Sequence, residues 1–125
     1  MQAEALCRAA VEALDDIKAE NIVVMDAREM SSLFDYVIVA SAESTRQTRA
    51  LVGNLQDRIK DLGGKVRGVE GENSGEWVLV DLGDVIVHVM QPAVRAYYNL
   101  EELWGGETPQ PATAGVAGAS RRSLG

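Results

Sequence analysis

Apolar residues recur at helical spacing over the first twenty positions: Leu6, Ala10, Ala13, Leu14 and Ile17 lie three or four apart. Glu12, Asp15, Asp16, Lys18 and Glu20 fill the other face, so residues 2–20 read as an amphipathic helix with Asn21 as its stop. IVVMD (22–26) and DYVIVA (35–40) are short aliphatic runs of the buried-strand type, separated by the polar loop AREMSSLF (27–34). A second helix is predicted from Ser44, where Gln47 three residues later completes a capping box that satisfies two unpaired backbone donors. Leu51, Leu55, Ile59 and Leu62 form its apolar stripe, and Gly63–Gly64 supplies a left-handed stop. KVRGVEGENSGE (65–76) holds one short strand near 66–70 and then a loop. PAVRAYYNLEELW (92–104) opens with proline at a favoured first helical position and reads as one helix, with Tyr97 and Tyr98 as candidates to pack it on the sheet or to reach a partner. GGETPQPATAGVAGASRRSLG (105–125) is small, Pro- and Gly-bearing and poor in large apolar groups, which predicts a disordered tail after a folded unit of residues 1–104.

The segment between these helices, WVLVDLGDVIVHVM (77–90), fixes its own register. Gly83–Asp84 is a two-residue turn with glycine first, so Leu82 faces Val85, Val80 faces Val87 and Val78 faces Val89. That face is wholly aliphatic and belongs to the core. The other face pairs Trp77 with Met90, Leu79 with His88 and Asp81 with Ile86. Large, apolar and charged groups mix there, as they do in protein-binding patches. The same pattern also suits a face covered by a helix, with Trp77 in the core and His88 hydrogen-bonded to Asp81. Pattern alone leaves both readings open.

The chain has 125 residues, enough to bury a core of its own, and its 46% hydrophobic and 25% charged residues are ordinary for a globular domain. Charge narrows the partners. The formal net charge is −7, and Arg46, Arg49, Arg58, Lys60, Lys65 and Arg67 are interleaved with acids. Phosphate backbones need clustered cations, so direct nucleic-acid binding is disfavoured and a basic protein partner is favoured. No membrane-length apolar run and no leader peptide is evident, and Cys7 stands alone, which fits a reducing cytoplasm.

Catalytic constellations are hard to assemble. There is no G-x-S-x-G stretch for a serine nucleophile, and Cys7 on an amphipathic helix has only Arg8 beside it to favour a thiolate. One histidine and one cysteine leave no metal-ligand spacing, and no Walker or dinucleotide fingerprint is present. The helix start at Ser44 follows a strand, but SAEST lacks glycine and Glu43 would repel an anion, so Ser41 and Ser44 read as turn and cap residues. No cofactor is expected. The remaining enzymatic alternative is a divergent metal-dependent nucleotidyltransferase using Asp26, Asp81 or Asp84.

Three blocks carry a family resemblance: the leading amphipathic helix, DYVIVASAESTRQTRAL, and EWVLVDLGDVIVHVMQPAVRAYYNLEELW. Together they resemble the ribosomal silencing factor (iojap-like) family over residues 1–104. The resemblance implies an α/β fold, a mixed β-sheet of about five strands flanked by helices, with nucleotidyltransferase-like topology but without its catalytic site. It implies a non-enzymatic repressor that binds the large ribosomal subunit at the protein numbered fourteen (uL14), blocks small-subunit joining when nutrients are scarce, and is a homodimer when free. The mixed hairpin face then becomes the expected docking surface: Trp77 as apolar anchor, Leu79, Asp81, His88 and Met90 around it, and Glu76 and Asp84 as acidic rim. One position departs from the family pattern. Ala42 stands where a glycine usually follows the serine of the strand-to-helix turn, so a slightly different turn is expected there.

Overall fold

A computed structural model of the chain describes residues 1–103. The tail expected over 105–125, and Trp104 before it, lie outside the described residues. The elements run α1 (Ala3–Asp16), β1 (Glu20–Asp26), β2 (Tyr36–Ser41), α2 (Thr45–Asp61), β3 (Gly68–Glu70), β4 (Trp77–Asp81), β5 (Val85–Met90), α3 (Pro92–Tyr98) and the single turn α4 (Leu100–Leu103). The strands form one five-stranded sheet in the order β1-β2-β5-β4-β3. β2 and β5 run parallel and every other pair antiparallel, so the sheet is mixed and the fold α/β.

Both long helices cover one face. Leu6, Ala10, Ala13 and Leu14 of α1 and Leu51, Leu55 and Ile59 of α2 pack on Val78, Val80, Leu82, Val85, Val87 and Val89, the aliphatic hairpin face. The register is the one set by the turn: Val80 pairs with Val87 and Val78 with Val89. Gly83 supplies the turn with φ +93°, and the Leu82 amide donates to the Val85 carbonyl at 3.0 Å. Leu62 is not part of the stripe. α2 ends at Asp61 and leaves Leu62 53% exposed.

Helix ends differ from expectation in three places, each for a local reason. α1 stops at Asp16 rather than reaching Asn21, because Lys18 turns into the left-handed region (φ 64°) and the Lys18 and Ala19 amides bind the last carbonyls, Asp15 and Leu14. Asn21 is also left-handed, but as a kink inside β1, where pairing with β2 shifts between Glu20 and Val23. At α2, Ser44 Oγ accepts the Gln47 amide at 3.1 Å, the forward half of the expected box. The Gln47 side-chain Oε1 reaches back one residue further than a capping box does and accepts from the Glu43 backbone amide, while its Nε2 donates to the Ile17 and Lys18 carbonyls, joining the start of α2 to the end of α1. The helix expected over 92–104 is broken at Asn99, which is left-handed (φ 50°, ψ 56°) and ends α3. Asparagine tolerates this conformation because its short side chain bonds locally.

Ala42 is fully buried against the helix-covered core, and its φ is not positive. The turn therefore needs no glycine here, and the methyl group fills core volume. Among the described residues no helix is long and apolar enough to cross a membrane.

Candidate functional site

Among the described residues, the opposite sheet face carries no long helix. Strand alternation and register lay it out in rows: Met25, Val37, Ile86, Asp81; then Val23, Val39, His88, Leu79; then Ser41, Met90, Trp77. Among the described residues, its cover comes from the edges. Phe34 of the 27–35 loop and Val94 and Leu100 of the last segment pack on a small cluster of Met25, Ala27, Val37, Val39 and Met90. Toward β4 the face opens.

Trp77 sits at that boundary, half-buried. Its indole Nε1 donates to His88 Nδ1 at 3.0 Å, and its ring lies 4.7 Å from the Tyr98 ring at 47°. Tyr97 meets Tyr98 edge-on at 5.0 Å. The tyrosines are 81% and 53% exposed, so an indole held from behind by histidine continues outward into two accessible phenols. Such rings combine apolar area with a polar tip and lose little conformational freedom on contact.

His88 is nearly sealed, and burial holds its pKa down at about 4. It is therefore neutral near pH 7, with the proton on Nε2 and Nδ1 free to accept from the indole. The pairing of His88 with Asp81 that the pattern leaves open does not form. Asp81 Oδ1 instead accepts the Gly83 amide at 2.8 Å and braces the hairpin turn. Leu79 is half-buried between Trp77 and Asp81 on β4. Glu76 and Asp84 are exposed at the two ends of the hairpin, and their backbone carbonyls accept from Gln91 and from Asp35 and Tyr36, respectively. Met90 differs from its expected place. It has no exposed surface, because it lies within the cluster that Phe34, Trp77, Val94 and Leu100 pack against, and it supports the face from beneath rather than presenting itself.

Three features were not singled out from sequence. Met30 and Leu33 are 54% and 80% exposed beside Phe34, and two large apolar residues in an otherwise polar loop are a signal that could have been read. Arg95 is inserted between β1, β2 and α4, contacts that no local pattern reports.

The carboxylates of the enzymatic alternative are dispersed. Asp26 pairs with Tyr36, which packs on the helix-covered core, so Asp26 faces away from Asp81. Asp26 is also engaged by Arg28, which holds its pKa below the usual value. Two-metal chemistry needs carboxylates converging within a few ångströms on one side, and among the described residues no group of three or more candidate ligands converges. Cys7 is buried, and loss of solvation pushes its thiol up to about 11, the reverse of activation. A hollow of about 90 Å³ lies between α2 and β4, lined by Arg49, Val52, Gly53, Gln56, Glu72 and Val78. Ligand pockets typically run to roughly 300 Å³ or more, so it is too small for a nucleotide.

A family described as "Ribosomal silencing factor during starvation" matches residues 1–123. A protein of Chromobacterium violaceum named ribosomal silencing factor is 50% identical over 109 residues, covering 87% of this chain and 89% of that one. One of Zymomonas mobilis with the same name is 41% identical over 115 residues, covering 90% and 86%. A crystal structure from Chromobacterium violaceum superposes with a TM-score of 0.84 at 49% identity, covering 88% of this chain and 92% of that one. The match spans nearly the whole chain in both sequence and fold, and the chain belongs to the ribosomal silencing factor family, regulators of translation that are not enzymes.

Proposed function

We propose that the chain represses translation by docking the sheet face opposite α1 and α2 on the large ribosomal subunit, at the ribosomal protein numbered fourteen, where it occludes the small subunit when nutrients are scarce. The observation that carries this reading is the aromatic array on that face: half-buried Trp77 continuing into exposed Tyr97 and Tyr98. Anchors of this kind dominate protein interfaces. Leu79 and Ile86 extend the apolar area, and His88 and Met90 fix the anchor from behind. Glu76 and Asp84 give the rim negative charge, consistent with a net charge of −7 and a basic ribosomal partner. A cytoplasmic setting, a homodimer in the free state and a folded unit bounded at residue 104 belong to the same reading. So does a strand connection like that of nucleotidyltransferases, which here would be inherited without paired carboxylates.

Co-sedimentation with separated subunits tests it. The chain is expected to pellet with large subunits and not with small ones, and to reduce formation of joined particles in proportion to occupancy. Binding to neither subunit, or joining at full occupancy, would remove the steric mechanism.

A further inference from the structure

The tyrosines stand on a segment that has little holding it. α3 and α4 contain no fully buried residue, and only Val94 and Leu100 reach the apolar cluster. Among the described side chains of α3 and α4, Arg95 makes the hydrogen bonds that tie the segment to the sheet. Arg95 Nη1 donates to the Asn21 carbonyl at 2.7 Å and to Ser41 Oγ at 2.8 Å, gripping the kink of β1 and the end of β2. Its Nε and Nη2 both donate to Glu101 Oε2, at 3.1 and 2.9 Å. The two side chains are only 11% and 21% exposed.

Arg95 and Glu101 therefore bracket Tyr97, Tyr98 and the left-handed Asn99, and close the chain into a loop whose ends are pinned to each other and to the sheet. Partly buried ion pairs add little net stability against their desolvation cost, and their best-attested use is to fix geometry. The second carboxylate oxygen of Glu101 is shut from solvent and meets no hydrogen-bond donor among the described residues, which makes this pair a poor device for stability alone.

We propose that Arg95 is a positioning residue for partner recognition: through Glu101, Asn21 and Ser41 it holds Tyr98 against Trp77 and sets the aromatic array in its binding geometry. The partner part of this statement rests on the docking reading above. The intramolecular part does not.

The test uses full-length protein carrying Trp104→Phe, so that Trp77 is the sole tryptophan. Arg95→Gln is expected to increase acrylamide quenching of Trp77 and to speed amide exchange across residues 92–103 at least about tenfold, as release of a locally held unit does. Exchange in β2 and β5 stays at the wild-type rate. Affinity for large ribosomal subunits falls at least about tenfold, and Tyr98→Ala added to Arg95→Gln weakens it little further, because both act through one array. Unchanged quenching and exchange would overturn the clasp. Faster exchange with unchanged affinity, while Trp77→Ala does abolish binding, would reduce Arg95 to a purely structural role and overturn its part in recognition. If Trp77→Ala itself binds normally, the docking reading falls, and quenching and exchange still decide whether Arg95 positions the tyrosines. Should Arg95→Gln lose the fold, Glu101→Gln, which removes the charge and keeps the shape, decides the same points.

Discussion

Lowering the pH should destabilise this protein through His88. Burial depresses the folded-state pKa of His88 from 6.5 to about 4, while the unfolded chain titrates at the ordinary value. Between those values the unfolded state binds the extra proton and the native state does not, so stability rises with pH across the window. The contribution is fully present above about pH 6.5 and is lost as pH falls toward 4. At about 1.4 kcal/mol per unit, the whole span amounts to about 3 kcal/mol. Protonation also converts Nδ1 from acceptor to donor, so the Trp77 Nε1–H···Nδ1 bond must break as the histidine charges. Urea unfolding at stepped pH measures the effect. Carboxylates such as Asp26, held low by Arg28, add their own acid sensitivity, so His88→Asn serves as reference. Asparagine keeps an acceptor near the position of Nδ1 and does not titrate. The wild type should be the more stable at pH 7, because the imidazole fills its site better. Its advantage should shrink by about 3 kcal/mol by pH 4. A stability difference that is flat from pH 7 to 4 would refute the assignment of His88 as a buried neutral acceptor.

Other substitutions separate packing from backbone effects. Ala42→Gly, which restores the residue usual in the family, should lower urea stability by about 1 kcal/mol, since the position lacks positive φ and the methyl group is buried. Asn99→Gly should be neutral within about 0.5 kcal/mol, whereas Asn99→Val should strain the left-handed cap by about 1–2 kcal/mol, read as faster amide exchange over residues 92–103. Ser44→Ala should cost about 1 kcal/mol of urea stability by orphaning the Gln47 amide at the start of α2.

The hairpin was the most legible part of the chain, and its physics explains why. Strict alternation from Val78 to Val89 and a two-residue Gly83–Asp84 turn leave one register that buries the aliphatic set. Partner choice on the other face was not legible. Leu79 lies opposite His88, and Trp77 and Asp81 both sit diagonally from it. Asp81 is short and finds the Gly83 amide two residues on, so the longer indole takes the histidine. Met90 is buried in a cluster that Phe34, Trp77, Val94 and Leu100 pack against, contacts from three separate segments, and a helical period running through 92–104 conceals the break at Asn99 that precedes Leu100. The contacts of Arg95 with Asn21 and Ser41 bridge residues far apart in sequence, and spacing rules do not reach them. What the family resemblance contributed was the partner class; what the structure adds is which side chains of the hairpin are presented and which are held beneath.

The central claim is that the face around Trp77 is the ribosome-contacting surface, and the affinity of Trp77→Ala for purified large subunits tests it most directly. The substitution should leave the helix-covered core folded, because Trp77 packs on the other side of the sheet. Binding should weaken by at least about 2 kcal/mol, roughly thirtyfold, as for a central aromatic anchor. A folded Trp77→Ala protein that binds large subunits as tightly as the wild type would contradict the account.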